Sequence, residues 1–579
     1  MTELQLDDWV SRLADEVIAD AKAKDTKVVC ASGISPSGPI HLGNLREVMT
    51  PHLVADEVRR RGVEVEHIIS WDDYDRFRKV PNVPGVTADW EQHIGKPLTE
   101  VPPPEGSTAS SWAEHFRLQL EQSLAELGIT YRGISQTQMY AAGAYTEQIL
   151  FAMSQRAEID KVLGQYRTLS PKKAKQQKLS EEEAAAAAEA EAGSGAAAEA
   201  DGSGSSGYYP YKPYCTVCGT DFTTVTAYDD TTTELTYTCR CGHTETVVLR
   251  DFRHGKLVWK VDWPMRWSYE KVVFEPSGVD HQSPGSSYVV GKELAPMFGW
   301  ERPIGPMYAF VGIKGMAKMS SSRGGVPIPA DALQIMEPQL LRWLYARRKP
   351  SQAFNVAFDA EIQRMYDEWD SLAGKIASGA GQPGDVAAYT RAASVVQGPL
   401  PATPRPVSYR TLASIVDITT GDEEQTLRIV SALDADNPVT SLDELRPRLT
   451  CVEHWVRTQM ADEDRTVVRA EPDTERLAAL SDDERQALRI LLDGNGSDLP
   501  RLDDAWSLDG LTHQVYGVPK VQRGLAADEI VKGDKELAAA QRQFFKLLYN
   551  LLVDKDTGPR LPTLLLAVGA ERTRALLGG

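Results

Sequence analysis

Two stretches of this chain carry residue types suited to phosphate chemistry. The first is Ser35-Pro36-Ser37-Gly38-Pro39-Ile40-His41-Leu42-Gly43-Asn44, which follows the apolar run Val28-Val29-Cys30-Ala31 and precedes a helical pattern. A histidine and a bare glycine backbone at a strand-to-helix junction meet the positive end of a helix, where phosphate binds well. The His41 imidazole there can donate hydrogen bonds to phosphate oxygens as charge develops in an in-line displacement. Gly43, lacking a side chain, permits close approach of an adenine or ribose. The second stretch is Lys318-Met319-Ser320-Ser321-Ser322-Arg323-Gly324-Gly325. A lysine, three hydroxyls and flexible glycines suit a loop that closes over pyrophosphate. No Walker-type G-x-x-x-x-G-K-[ST] occurs, which disfavours a P-loop enzyme.

His-x-Gly-x also occurs at His93-Ile94-Gly95-Lys96, but without a preceding strand and glycine turn, so that copy reads as a decoy. Cys215-x2-Cys218 and Cys239-x-Cys241 form two close thiolate pairs joined by a threonine-rich, strand-like stretch. This pattern predicts a zinc ribbon with four-cysteine tetrahedral ligation, in which no coordination position stays open for catalysis. The second pair is one residue tighter than the commonest spacing, which leaves His243 as an alternative to one thiolate. Cys30 and Cys451 stand alone, and the split suits buried thiols in a reducing compartment. Asp72, Asp73 and Asp75 fall at a strand end and can neutralise a cationic substrate. Gly278-Val279-Asp280-His281 follows the strand-like run Val272-Val273-Phe274, where a carboxylate can hold a ribose hydroxyl pair. The aromatics Trp259, Trp263, Trp267, Tyr288 and Tyr308 surround these loops, with core packing as the default role of each.

The elements that must position these residues read as follows. Trp9, Leu13 and Val17 mark an opening amphipathic helix. Lys27–Ala31 reads as a strand, Leu45–Arg61 as a helix kinked at Pro51, and Val63–Ser70 as a second strand. This βαβ unit predicts an open, mostly parallel sheet with the ligand at the strands' carboxyl ends. Residues 180–207 are a run of glutamate, alanine, glycine and serine that cannot bury a core, so a flexible, dispensable linker is expected. After about residue 351 helical patterns dominate, for example Ala360–Ile376, Thr474–Leu492 and Glu536–Val553. At 579 residues the chain needs three or four domains. Its net charge of −19 argues only weakly against a nucleic-acid partner, since RNA meets a local surface. The amino terminus lacks a signal-peptide pattern and no stretch is apolar enough to span a bilayer, so a cytoplasmic enzyme is expected.

Taken together the motifs resemble those of the class I lysyl-tRNA synthetases, the archaeal-type family also found in some bacteria. The likeness rests on Ser32 to Gly38 leading into His41-Leu42-Gly43-Asn44, and on Asp72-Asp73-Tyr74-Asp75 with Arg78-Lys79-Val80-Pro81. It continues through Ser111-Trp112-Ala113-Glu114-His115-Phe116, Val261-Asp262-Trp263-Pro264-Met265-Arg266-Trp267, Gly278 to His281, and Lys318-Met319-Ser320-Ser321-Ser322. The resemblance implies that lysine and ATP give lysyl-adenylate and pyrophosphate, and that the lysyl group passes to the 2′-hydroxyl of the terminal adenosine of tRNA(Lys). It also implies that bound tRNA is needed for the first step. By position, His41, Asn44, Lys318, Ser320 and Ser322 are then catalytic. Pro36, Ser37, Gly38, Gly43, Gly278, Asp280 and Met319 join His41, Asn44 and Lys318 around ATP and its Mg2+. Gly33, Ser35, Trp259, His281 and Tyr308 form the lysine pocket, and charge logic alone adds Asp73 for the ε-ammonium. Asn44 stands in place of the second histidine of His-Ile-Gly-His. Ser321 stands in place of the second lysine of Lys-Met-Ser-Lys-Ser, so positive charge on pyrophosphate falls to Lys318 and Arg323. Pro104, Thr108 and Ala109 fill a stretch where relatives carry an extra metal cluster, so one structural zinc is expected.

The implied architecture is α/β. Residues 1–90 and 255–350 are the two halves of a Rossmann-type catalytic domain, and 91–254 is an insertion with a zinc ribbon at 208–250 that grips the acceptor end. Residues 351–579 form a helical anticodon-binding domain, and the whole is a monomer. The competing readings are a class I synthetase for glutamate, a small-molecule nucleotidyltransferase, and a non-catalytic zinc-ribbon RNA-binding protein.

Overall fold

The computed structural model describes residues 6–167, 203–204, 207–314, 325–434 and 436–578. The expected linker over 180–207 lies almost wholly outside these residues, and the lysine-serine loop over 318–323 lies wholly outside them.

Helix α1 (Trp9–Ala23) is capped by Asp8, whose carboxylate accepts from the Ser11 amide. Strand β1 (Val28–Ile34) is buried along both faces, as a near-continuous apolar run requires in a parallel sheet. Helix α2 (Leu42–Arg60) follows and runs on through Pro51. It leads to β2 (Val65–Trp71), and after helix α3 (Trp112–Glu126) comes β3 (Arg132–Ser135). The three strands are parallel in the order β1-β2-β3. On the other side of β1 the sheet is extended by Phe274, bridged in parallel to Cys30, and then by Ile304, bridged to Phe274. Ala31 N–H donates to Phe274 O at 2.8 Å and Glu275 N–H to Ile304 O at 3.0 Å. The spatial order is therefore β3, β2, β1, then Phe274, then Ile304. The chain reverses its direction of travel across the sheet between β1 and Phe274, and that crevice is where open α/β sheets bind ligands. Both Gly33 and Glu275 lie on it.

Between β3 and the fourth strand lies an antiparallel three-stranded sheet of β4 (Thr223–Tyr228), β5 (Glu234–Cys239) and β6 (Thr244–Val248). Helix α4 (Trp259–Glu270) then returns the chain to the parallel sheet.

The chain divides into two compact units, and the division is not at residue 350. The first holds residues 1–333, 338–357 and 375–400, and the second holds 334–337, 358–374 and 401–579. Buried arginines explain why 338–357 and 375–400 stay with the first unit. On helix α5 (Pro338–Ala346), Arg342 is fully buried and donates to Leu127 O and Arg391 O, both at 2.7 Å. Arg391, on helix α6 (Pro383–Ala393), binds both Asp8 oxygens at 2.8 and 2.9 Å and Glu57 at 2.7 Å. One guanidinium thus fastens α6 to the cap of α1 and to α2. The second unit is mainly helical, around Leu491, Leu548, Leu551, Leu564 and Leu565. Within it, Arg448 joins Glu337 and Asp370 at 2.9 Å each. Among the described residues no helix is long and apolar enough to cross a membrane.

The side chain of Arg391 is 2% exposed and those of Asp8 and Glu57 7% and 8%, so its removal strands the buried Asp8 carboxylate and leaves Glu57 with Arg61 alone, at 2.9 Å. Arg391→Met is expected to lower unfolding stability by about 3–5 kcal/mol. An unchanged urea midpoint would show that the clamp does not hold the unit together.

Candidate active site and metal centre

The loop 35–41 carries the chain from β1 to the amino end of α2, with Pro36 and Gly38 buried and Ser37 exposed. His41 caps the helix: its Nδ1 accepts from Gly43 N–H at 3.1 Å, and its own N–H donates to Asn44 Oδ1 at 3.1 Å. Burial pushes the imidazole down to about 4, so it is neutral near pH 7. A neutral ring whose Nδ1 accepts carries its proton on Nε2. His41 therefore combines a structural role with chemistry, offering an Nε2–H donor at the positive end of a helix. Asn44 closes the capping box, which anchors the ring's backbone. The positions expected for Lys318, Met319, Ser320 and Ser322 lie outside the described residues. Where description resumes after them, Pro327 O accepts the Leu42 N–H at 3.2 Å, in the first turn of α2.

At the crevice beside β1, Glu47 on α2 accepts from Gly33 N–H at 3.2 Å and from the Tyr308 hydroxyl at 2.9 Å. Glu275 accepts from the indoles of Trp263 at 2.9 Å and Trp267 at 2.5 Å. A methyl group built on Gly33 would sit 3.6 Å from Glu47 Oε1 and 4.0 Å from Glu275 Oε1. Both carboxylates thus converge on the Gly33 backbone. Burial raises Glu47 to about 8, with Glu275 and Asp280 adding repulsion, and burial raises Glu275 to about 7. Trp259 stacks on Trp263 at 5.0 Å, and His281 meets the same indole edge-on at 5.5 Å. Gly278 pairs with Tyr308 in a short parallel ladder, and a side chain on Gly278 would collide with the Asp280 carboxylate. Gly33, Trp259, His281, Tyr308, Gly278 and Asp280 are thereby gathered on one edge of the sheet. Ser35 is half-buried two residues beyond Gly33.

Asp73 does not join them. Its oxygens accept from the Ser135 hydroxyl at 2.6 Å and Thr137 N–H at 2.8 Å, at the start of the helix Gln136–Ala141. Asp72 is paired with Arg266 at 2.5 Å and Asp75 with Lys256 at 2.5 Å. Among the described residues Glu47 and Glu275 also form no ion pair, and charge logic applied to the Asp72–Asp75 run passed over both. Two signals point to them. Glu47 lies four residues after Gly43, on the same helix face, and Glu275 ends the apolar run Val272-Val273-Phe274 at the strand's carboxyl end. The decoy histidine, His93, ends a separate 3-10 turn.

The four thiols of Cys215, Cys218, Cys239 and Cys241 lie within 4.8 Å of one another. Cys215–Cys241 and Cys218–Cys239 are 3.7 and 3.6 Å apart. Sulfurs on a tetrahedron with Zn–S of about 2.3 Å are about 3.8 Å apart, so the donor set fits zinc. His243 is engaged elsewhere, 3.3 Å from Glu245 and 3.4 Å from Thr216, which leaves the four cysteines as the ligand set.

A protein-family model described as tRNA synthetases class I (K) matches residues 7–398. A lysine–tRNA ligase of Streptomyces coelicolor is 64% identical over 578 residues, covering 99% of this chain and 98% of that protein. A lysine–tRNA ligase of Treponema pallidum is 32% identical, with 98% of each chain covered. One from Pyrococcus horikoshii is 31% identical, with 96% of each covered. With the sheet order, the capped histidine and these full-length similarities in hand, this chain belongs to the class I lysyl-tRNA synthetase family.

Proposed function

We propose that this protein ligates L-lysine to tRNA(Lys), using ATP supplied with Mg2+, in the cytoplasm. The observation that carries the reading is Glu47: a half-buried carboxylate, hydrogen-bonded to Tyr308 and Gly33 and forming no ion pair among the described residues. Lysine's ε-ammonium is the compensating charge, and Glu47 with Tyr308 replaces Asp73 as its holder. A glutamate side chain would face Glu47, Glu275 and Asp280, an arrangement that disfavours the glutamate reading. The cysteine cluster and the helical second unit have no evident use in a small-molecule nucleotidyltransferase.

In the first step a carboxylate oxygen of lysine attacks the α-phosphorus, and the bond to the β-phosphate oxygen breaks to release pyrophosphate. His41 Nε2–H and the N–H groups of α2's first turn stabilise charge building on the phosphate oxygens. Asp280, beside Gly278, holds the ribose hydroxyls. Lys318, Ser320 and Ser322 act on the leaving pyrophosphate. In the second step the 2′-hydroxyl of the terminal adenosine attacks the lysyl carbonyl and AMP leaves. Cys215, Cys218, Cys239 and Cys241 hold a structural zinc, in an insertion that receives the acceptor end. The helical unit binds the anticodon.

ATP–pyrophosphate exchange driven by lysine, measured with and without tRNA, tests the whole reading. Exchange driven by glutamate instead would refute it. His41→Ala is expected to lower the charging rate by roughly 10²-fold or more. A rate equal to the parent's would favour the non-catalytic RNA-binding reading. Glu47→Gln should raise the KM for lysine by about 10²-fold, with a far smaller change in the KM for ATP.

Glu47 in the free site stays protonated below about 8, so binding an ammonium there releases a proton. The KM for lysine should therefore fall as pH rises from about 6.5 to 8.5, and this slope should vanish in Glu47→Gln. The same dependence in both proteins would place the titrating group elsewhere. Metal analysis is expected to find about one zinc per chain, lost in Cys218→Ser; full retention in that variant would rule out the four-thiolate site.

A further inference from the structure

A second cleft opens in the first unit, where the segment after β2 meets the cysteine-bearing insertion. Its cavity volume is about 50 Å³, and it is lined by Asp75, Arg76, Arg78, Lys212, Asp221 and Lys256, together with Leu257 and Val258. Four cations therefore face two carboxylates, in a chain whose net charge is −19. Arg76 and Arg78 come from the segment after β2 and Lys212 and Lys256 from two paired strands, and three of the four are held by partners. Arg76 reaches Asp221 at 3.3 Å, Lys256 reaches Asp75 at 2.5 Å, and Lys212 donates to Thr223 O at 3.0 Å. The second Asp221 oxygen, Oδ1, is buried without a hydrogen-bond partner. A concave wall whose lining cations outnumber its lining carboxylates concentrates anions.

The cleft adjoins the lysine pocket through the backbone. Val258 lines the cleft and Trp259 lines the pocket. Lys256 also lies 3.8 Å from Asp262, and Asp262 binds Arg266, which holds Asp72. None of the lining residues belongs to the loop 35–41 or to the first turn of α2, where the triphosphate is bound and pyrophosphate leaves. We propose that this cleft takes a backbone phosphate of the 3′ arm of the RNA substrate, fixing the strand's path as its terminal ribose enters the lysine pocket. The assignment rests on the reading that lysine is transferred to RNA. It adds a phosphate-recognition site made of Arg76, Arg78, Lys212 and Lys256 to the cysteine-bearing insertion and the segment after β2.

The test is steady-state lysine charging of tRNA by the full-length protein and its Arg78→Ala and Lys212→Gln variants, over a series of salt concentrations. The KM for tRNA is expected to rise about tenfold in each variant. The kcat and the KM for lysine and ATP should stay within about twofold. Each lost phosphate contact should also flatten the log–log salt dependence by about 0.7 to 0.9, a change that mere loosening of the fold does not produce. Arg78→Lys, which keeps the charge, should recover most of the affinity. An unchanged KM for tRNA and an unchanged salt slope would overturn the proposal. So would a rise confined to the KM for ATP or to inhibition by free pyrophosphate, which would assign the cleft to a small phosphate. Failure of the parent protein to charge tRNA with lysine would instead count against the functional reading on which the proposal stands.

Discussion

Two carboxylates at the carboxyl end of the sheet, the buried Glu275 and the half-buried Glu47, form no ion pair among the described residues, and the arrangement of the surrounding elements follows from that. Burying an ionised carboxylate is expensive unless hydrogen bonds or a counter-charge compensate. The fold supplies hydrogen bonds, a backbone N–H and a phenol for Glu47 and two indoles for Glu275, and the Arg266 guanidinium adds a lesser favourable field at Glu275. The arginines that stand nearest in sequence or on α4 are turned to other uses. Arg46 donates to the carbonyls of Ala309, Lys349 and Gln352, and Arg266 is spent on Asp72 and Asp262. Protonation is the free site's remedy, which is why both groups titrate above the ordinary carboxylate range. A cationic ligand offers a second remedy, and binding specificity arises from the competition between the two.

Helix α2 turns this charge deficit into a spatial order for the reactants. His41 stands at its amino end and Glu47 six residues further on, about 9 Å along the axis at 1.5 Å per residue. On the proposed reading, the positive end of the helix and the Nε2–H of His41 take the phosphate, and the carboxylate about 1.7 turns later takes the ammonium. A lysine held by its far end at Glu47 has its own carboxylate free to lie back toward the phosphate end, where attack on the α-phosphorus must occur. The capping box that fixes His41 thus also fixes the register between the two binding sites, because both are carried by one rigid element.

How much of this was legible in the sequence depended on whether a feature was local. The βαβ unit, the junction at His41 and the four cysteines are set by short-range spacing, and the structure contains all of them. Helix ends followed local rules as well. The long pattern over Thr474–Leu492 breaks at Leu480 because Ser481 and Glu484 form a capping box that starts a new helix at Asp482. The compact units do not divide at residue 350, because Arg391, which keeps 375–400 with the sheet, finds its partners Asp8 and Glu57 more than 300 residues away in the chain. No periodicity within α6 announces such a clamp; Arg391 reads as an ordinary basic residue near a helix end.

The reading of Asp73 as the ammonium partner has the same local origin. Asp72, Asp73 and Asp75 looked like the acidic site since they cluster at the end of a strand, but each is claimed by a residue from another element: Arg266, then Ser135 and Thr137, then Lys256. A carboxylate's availability is set by what packs against it, and packing partners are invisible in a window of a few residues. Glu47 was hidden for the converse reason, since Arg46-Glu47 on a helix suggests a solvated pair. The fold separates that pair, sending Arg46 to three carbonyl oxygens and Glu47 to the crevice. The acids that keep no ion pair after tertiary pairing are the candidates to bind a cation, and Asp72 and Asp75 are not among them.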